Sequence, residues 1–314
     1  MSKEHIIVTG GAGFIGSQMA RRLLSDNYKV TILDDLSTGK KGNLPQKADF
    51  IKIDLGIESQ YSKLKEVKCD AIFHLAGQSS GEASFLDPVK DCRSHVLSTV
   101  NLLEWAKKGK GLKQFLYASS MAIYGDPPSL PVDENCPLSP KTFYASAKLS
   151  AENYLRIYQS MGIPTTIFRL FSVYGPGQNL DNKMQGMISI YLSYILDRMP
   201  IQVKGTKERF RDFVYMDDVV DAWMLAYQNP KAYGKTYNLC GGVKTTVEDV
   251  IKFLRQAISD DKYLVEFLKG TIGDQFGVFG DNKRIKKDLG WSPKVDIKEG
   301  IKRMVEKEMK GVKV

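Results

Sequence analysis

Short apolar runs rich in β-branched residues recur along the chain, and longer stretches with helical spacing separate them. Ile6-Ile7-Val8, Val30-Thr31-Ile32-Leu33, "FIKIDL", "AIFHLAG", "QFLYASS" and "TTIFRLF" read as buried strands. Between them, Met19, Ala20, Leu23 and Leu24 recur at helical intervals, as do the apolar positions of "SHVLSTVNLLEWAKK" and "FYASAKLSAENYLRIY". Alternating β and α elements predict an α/β fold, a Rossmann-type doubly wound parallel sheet whose ligands collect at the carboxyl ends of the strands. Asp54-Leu55, Leu75-Ala76-Gly77 and Ala118-Ser119-Ser120 fall at such ends and are expected to line one crevice.

The first strand runs into "VTGGAGFIGS", where Gly11, Gly13 and Gly16 satisfy GxGxxG and Gly10, Gly13 and Gly16 satisfy GxxGxxG. Either spacing serves a strand-to-helix turn: one glycine turns the chain, another admits a pyrophosphate to backbone N–H groups, and the last lets helix pack on strand. The second strand ends in Asp34-Asp35, where a carboxylate would accept hydrogen bonds from ribose hydroxyls and repel a 2′-phosphate. NAD is therefore the expected cofactor; Lys40 and Lys41 nearby leave NADP as the alternative. A cap on the turn is the competing role for Asp34.

Three YxxxK pairs occur: Tyr61/Lys65, Tyr144/Lys148 and Tyr227/Lys231. Pro230 interrupts the third, and no hydroxyl-bearing strand end precedes the first. The middle pair lies in a good helical pattern, one turn apart on one face, after a strand ending in Ser119-Ser120. A neighbouring ammonium and a positive nicotinamide ring both stabilise phenolate, so Lys148 would tune Tyr144 as a base and Ser120 would bond the reacting oxygen.

Composition narrows the class further. The 314 residues are 43% hydrophobic, enough for one large core or two modest ones. No apolar run reaches about 18 residues, so no membrane span or signal peptide is indicated and a cytoplasmic location is expected. Cys69, Cys92, Cys136 and Cys240 form no CxxC pair and the histidines show no ligand spacing, so neither a disulfide nor a metal site is expected. The net charge of +9 is spread along the chain, which reads as a solvated basic surface that favours small anions rather than a nucleic-acid site.

Taken together, "VTGGAGFIGS", "LDDLSTG", "HLAGQSS", "YASSMAIYG", the YxxxK pair, "FRLFSVYGPGQ", "RDFVYMDDVV" and "DLGWSPKV" resemble the extended short-chain dehydrogenase/reductase family. Within it the chain is similar to nucleotide-sugar epimerases of the UDP-glucose 4-epimerase type. The resemblance implies Tyr144 as base, Ser120 as its hydroxyl partner and Lys148 as the tuning cation. It implies cofactor contacts from Gly10, Gly13, Phe14, Ile15, Gly16, Asp34, Asp35, Asp54, Leu55, Leu75, Ala76 and Gly77, with Tyr144 and Lys148. It implies a nucleotide-sugar substrate held by Ser120, Ser172, Arg211, Asp274 and Val278. In such enzymes the tyrosine takes the proton of the sugar 4-hydroxyl while C4 is oxidised to a 4-keto intermediate.

Dehydratases of the family carry an Asp-Glu pair after the catalytic hydroxyl residue, and its decarboxylases a Thr-x-Glu pattern; here Met121 and Ala122 follow Ser120. Epimerisation is therefore expected, with a dehydratase or reductase as the alternative and an idle NAD-binding scaffold further behind. Three positions depart from the family pattern: Ser172 replaces an asparagine, Thr271 an arginine and His95 an asparagine. Arg209, Lys183, Lys204 or Lys269 would supply the lost charge, and His95 is expected to be a satisfied structural histidine. Val278 stands where a tyrosine narrows the sugar pocket, so room for a 2-acetamido group, and UDP-GlcNAc/UDP-GalNAc alongside UDP-Glc/UDP-Gal, is expected. Asp217-Asp218 reads as a helix N-cap pair. The expected division is a nucleotide domain over 1–174 plus a strand returning near 232–242, and a smaller, discontinuous substrate-binding α/β domain over 175–314. By the same resemblance a homodimer would form on helices near 92–108 and 144–160.

Overall fold

The computed structural model describes residues 3–109, 111–270 and 275–311. Seven parallel strands form the main sheet, in the order Lys235–Leu239, Thr165–Leu170, Gln114–Ser120, Ala71–His74, His5–Thr9, Lys29–Asp34, Asp49–Lys52. Strand order reverses between His5–Thr9 and Ala71–His74, which opens a crevice at the carboxyl ends of these two strands.

Because side chains alternate across a strand, neighbouring residues feed opposite faces of the sheet. Ile6 and Val8 pack with Val30, Ile32, Phe73 and Phe168 beneath helices Phe14–Ser25 and Met216–Ala226, where Met19, Leu23, Val219 and Trp223 are buried. Ile7, with Leu33, Ile72 and Phe115, faces the other way, against Leu102 and Leu103 and against Ala151 and Leu155. Both faces are buried, which is why these strands are apolar throughout rather than alternating.

A separate core holds the smaller lobe: Tyr191, Leu192, Ile201, Val203, Val250, Leu254, Ile301 and Met304 pack together. Its helix Val247–Ile258 starts in a capping box between Thr246 and Asp249. The chain crosses between lobes several times. Strand Lys235–Leu239 pairs with Thr165–Leu170 in the main sheet, and helices Met216–Ala226 and Lys283–Leu289 also pack into the core of the sheet lobe. Asp212 pins one crossing, accepting the backbone N–H groups of Gly241, Gly242 and Gly280 at 2.7, 3.0 and 3.0 Å.

Candidate active site

The glycine turn leaves no space for side chains. Gly10 has φ +68°, and a Cβ there would stand 2.8 Å from the Ala76 backbone; a Cβ on Gly16 would stand 2.1 Å from the Gly10 carbonyl oxygen. Gly13 caps helix Phe14–Ser25 without any side-chain hydrogen bond, so the helix N-terminus keeps free N–H groups for an anion. These glycines open onto a cleft of about 760 Å³, walled also by Phe14, Ile15, Asp34, Asp35, Asp54, Leu55, Leu75, Ala76 and Gly77. A dinucleotide fits this cradle: a helix terminus for its pyrophosphate and a carboxylate at the strand tip for its ribose.

Asp34 also serves the turn. Its carboxylate accepts the N–H groups of Ala12 at 3.0 Å and Leu36 at 2.7 Å while still facing the cleft. Asp35 caps Ser37. The Lys40 ammonium is held by the Asp181 carboxylate.

Across the cleft, Thr142 caps helix Phe143–Ser160 and places Tyr144 and Lys148 in its first turns, 8% and 5% exposed. Lys148 Nζ donates to the Ala118 carbonyl at 2.7 Å and sits 4.9 Å from the centre of the Tyr117 ring. Ser120 ends the adjacent strand, its Oγ accepting from Ala122 N–H at 3.2 Å. Burial pushes the Tyr144 phenol up to about 12, against the hydrogen bond with Ser120 that pulls it down, while the Asp91 charge adds to the rise. Burial likewise drops Lys148 to about 7, with Asp91 and Glu152 opposing. A cationic nicotinamide ring beside Tyr144 would add positive charge and favour phenolate.

The other two YxxxK pairs are not part of this constellation. Tyr61 donates to the Leu55 carbonyl at 3.1 Å from a short 3-10 helix, and Tyr227 turns its hydroxyl to Glu4 at 3.3 Å beyond a helix end.

Toward the smaller lobe the cleft is lined by Ser172, Lys183, Lys204, Arg209, Arg211 and Gln275. Arg211 Nη1 bonds the Phe210 carbonyl at 2.7 Å, which steadies the guanidinium on its strand. Lys183 pairs with Asp197 at 2.9 Å and Lys204 with Glu82 at 3.0 Å. Asp274 and Thr271 lie outside the described residues. Gln78, Ser80, Tyr191 and Phe213 also line the cleft and were not singled out from the sequence. Gln78 and Ser80 follow directly on "HLAG", so extending that strand end by three residues would have found them.

Three expectations need correction. Val278 is 1% exposed and packs with Tyr124, Val132, Phe171 and Cys240, behind the cleft wall that Phe171 and Gln275 form. Its size acts on that packing, so Val278→Tyr is expected to overfill the cluster and cost about 1–3 kcal/mol, read as a lowered melting temperature. Asp218 is no N-cap: it sits inside the first turn and clamps the C-terminal segment, accepting Lys294 N–H at 3.0 Å and Val295 N–H at 3.1 Å. His95 is not fully satisfied either: neither buried ring nitrogen makes a hydrogen bond of normal geometry, and Nε2 stands 3.5 Å from Asp91 Oδ1.

Among the described residues no three or more His, Cys, Asp and Glu side chains gather as a metal site, and no helix is long and apolar enough to cross a membrane.

A doubly wound sheet with a glycine-lined dinucleotide cradle, facing a buried Tyr-Lys pair and a strand-end serine, defines an NAD-dependent short-chain dehydrogenase/reductase of the extended kind. The chain belongs to the NAD dependent epimerase/dehydratase family, whose model matches residues 6–240. It is 36% identical over 301 residues to a putative UDP-glucose 4-epimerase of Methanocaldococcus jannaschii, covering 96% of this chain and 97% of that one. The solved UDP-glucose 4-epimerase of Thermotoga maritima with UDP-glucose superposes with a TM-score of 0.93 at 34% identity, covering 98% and 99% of the two chains. The UDP-N-acetylglucosamine 4-epimerase of Methanobrevibacter ruminantium M1, solved with UDP-N-acetylmuramic acid, gives 0.91 at 28% identity, covering 99% and 100%.

Proposed function

We propose that this enzyme is a 4-epimerase of a nucleotide-diphospho-sugar, acting on UDP-Glc/UDP-Gal, on UDP-GlcNAc/UDP-GalNAc, or on both, through a transient 4-keto sugar. The observation that carries this reading is the company Ser120 keeps: Tyr144 and Lys148 stand beside it, while Met121 and Ala122 occupy the cleft wall just after it. Elimination of water across C5 and C6 needs a further acid and base, and neither Met121 nor Ala122 can move a proton. NAD, held by Gly10, Gly13, Gly16, Asp34, Asp54 and Leu55, supplies reversible oxidation of the sugar carbon when bound.

The chain's own groups do the rest. Tyr144 as phenolate takes the 4-hydroxyl proton and returns it after the sugar presents its other face; Ser120 orients that oxygen; Lys148 holds the phenolate's charge. The similar enzymes of Thermotoga maritima and Methanobrevibacter ruminantium M1 were solved with UDP-glucose and UDP-N-acetylmuramic acid, which supports a uridine diphosphate moiety here.

Arg211 on the cleft wall is a guanidinium of the right shape for a diphosphate. Arg211→Ala is therefore expected to raise KM for the nucleotide sugar about 10- to 100-fold with kcat within threefold, the loss of a charge-assisted bond worth about 1.5–3 kcal/mol. Steady-state kinetics with UDP-glucose check it, and an unchanged KM would remove Arg211 from the substrate site.

Assembly as a homodimer is part of the same proposal. Leu97, Tyr154, Ile157 and Met161 leave large apolar side chains 42–57% exposed on and beside helix Phe143–Ser160. A cytoplasmic enzyme supplying sugars for polysaccharide synthesis is the setting this activity suits.

A further inference from the structure

Three unusual local features converge on one buried imidazole beside Tyr144. The chain turns with π-helical bonding over Cys92–Leu97, a rare winding found mostly as single turns inside α-helices and frequently at functional sites. Gly77, at φ +137°, makes room from the other side: a Cβ there would lie 2.3 Å from His95 Cε1 and 2.5 Å from Nδ1. Asp91, on the preceding turn and 1% exposed, brings Oδ1 to 3.5 Å from His95 Nε2.

The His95 ring stands edge-to-face with Tyr144, centres 5.4 Å apart and planes at 70°. Asp91 Oδ1 accepts from Gln78 Nε2 at 2.7 Å, but Asp91 Oδ2 and both His95 nitrogens lack a hydrogen bond of normal geometry. Burial and the Lys148 charge hold the imidazole down at about 4, against Asp91, so it is neutral near pH 7 with one N–H to give. The charged and titratable groups around it are Asp91, Tyr144 and Lys148, with His74 on the neighbouring strand.

A ring wanted only as filler would be phenylalanine, which buries no unpaired nitrogen. The spacing from Nε2 to Asp91 needs a movement of only about half an ångström to become a hydrogen bond. We propose that Asp91 and His95 are a positioning pair for Tyr144, in which the imidazole gives its N–H to Asp91, masks that carboxylate from the phenol, and fixes the plane of the Tyr144 ring. The proposal rests on Tyr144 being the base of the epimerisation proposed above.

The test uses full-length, NAD-loaded protein and the variants His95→Phe and Asp91→Asn. The first readout is the ultraviolet titration of the Tyr144 phenolate, each protein measured against its own Tyr144→Phe partner. Without the masking N–H, the Asp91 charge bears harder on the phenolate, so His95→Phe is expected to raise the midpoint by about one pH unit, and Asp91→Asn to lower it. The second readout is kinetic: His95→Phe is expected to lower kcat about tenfold with KM within threefold, and the double variant to be no worse than the poorer single one, as coupled neighbours require.

A His95→Phe enzyme with an unmoved phenolate midpoint, wild-type kcat and an equal or higher melting temperature would overturn the proposal. If His95→Phe fails to fold, His95→Leu decides by the same readouts: an unmoved midpoint with wild-type kcat overturns the pair, and a raised midpoint supports it. A wild-type protein that turns over no nucleotide sugar would sink the epimerase proposal instead, and the titration would still report on the pair.

Discussion

Tyr144→Phe is expected to lower kcat by about 10³-fold while the protein keeps its NAD, because positioned proton transfer contributes about 10²–10⁴ and phenylalanine supplies none of it. The substitution removes one hydroxyl from a ring that stays buried between His95 and the cleft, so folding and cofactor binding have little reason to change. Turnover is read by NMR of the sugar anomeric signals, and bound cofactor by absorbance after denaturing the purified variant. A loss smaller than tenfold would mean that another group takes the proton. Loss of NAD together with activity would mean that Tyr144 serves binding instead. An idle scaffold would show no turnover to lose.

Gly16→Ala is expected to strip the cofactor and destabilise the sheet lobe by about 3 kcal/mol or more. The added methyl would sit 2.1 Å from the Gly10 carbonyl oxygen and 2.8 Å from Gly11 Cα. Those are backbone atoms, and Gly10 itself is tied to the neighbouring strand by its N–H to Leu33 O at 2.8 Å. Relief requires helix Phe14–Ser25 to lift away from the strands, which opens the packing of Met19, Ala20 and Leu23 and withdraws the helix terminus from the cleft. The check is NAD content and melting temperature of the purified variant. Full NAD occupancy would show that the turn tolerates a side chain and that the close approach is not what holds the cofactor.

What was legible in the sequence was whatever depends on local spacing. The glycines of the turn, Asp34 at a strand tip, and Tyr144 with Lys148 one helical turn apart all owe their placement to their own element, and the strands carry those elements to one edge of the sheet. Positions whose direction is set by distant packing were misjudged. Val278 aligns with a pocket residue, yet it is packed among Tyr124, Val132, Phe171 and Cys240, of which Phe171 lines the cleft in its place. Asp218 has the composition of a cap, but Lys294 and Val295 return from far along the chain to take its oxygens. His95 reads as a satisfied structural histidine until the π-helical winding and the missing Gly77 side chain set it against Tyr144.

The claim on which the rest depends is that a retained NAD inverts C4 of a nucleotide sugar with no net oxidation. Purified protein, given UDP-glucose or UDP-GlcNAc with no added cofactor and followed by NMR, tests it in one experiment. The prediction is steady appearance of the matching 4-epimer, UDP-galactose or UDP-GalNAc, up to equilibrium. Unchanged substrate in both tubes, or a product that accumulates only when NADH is added, would contradict it.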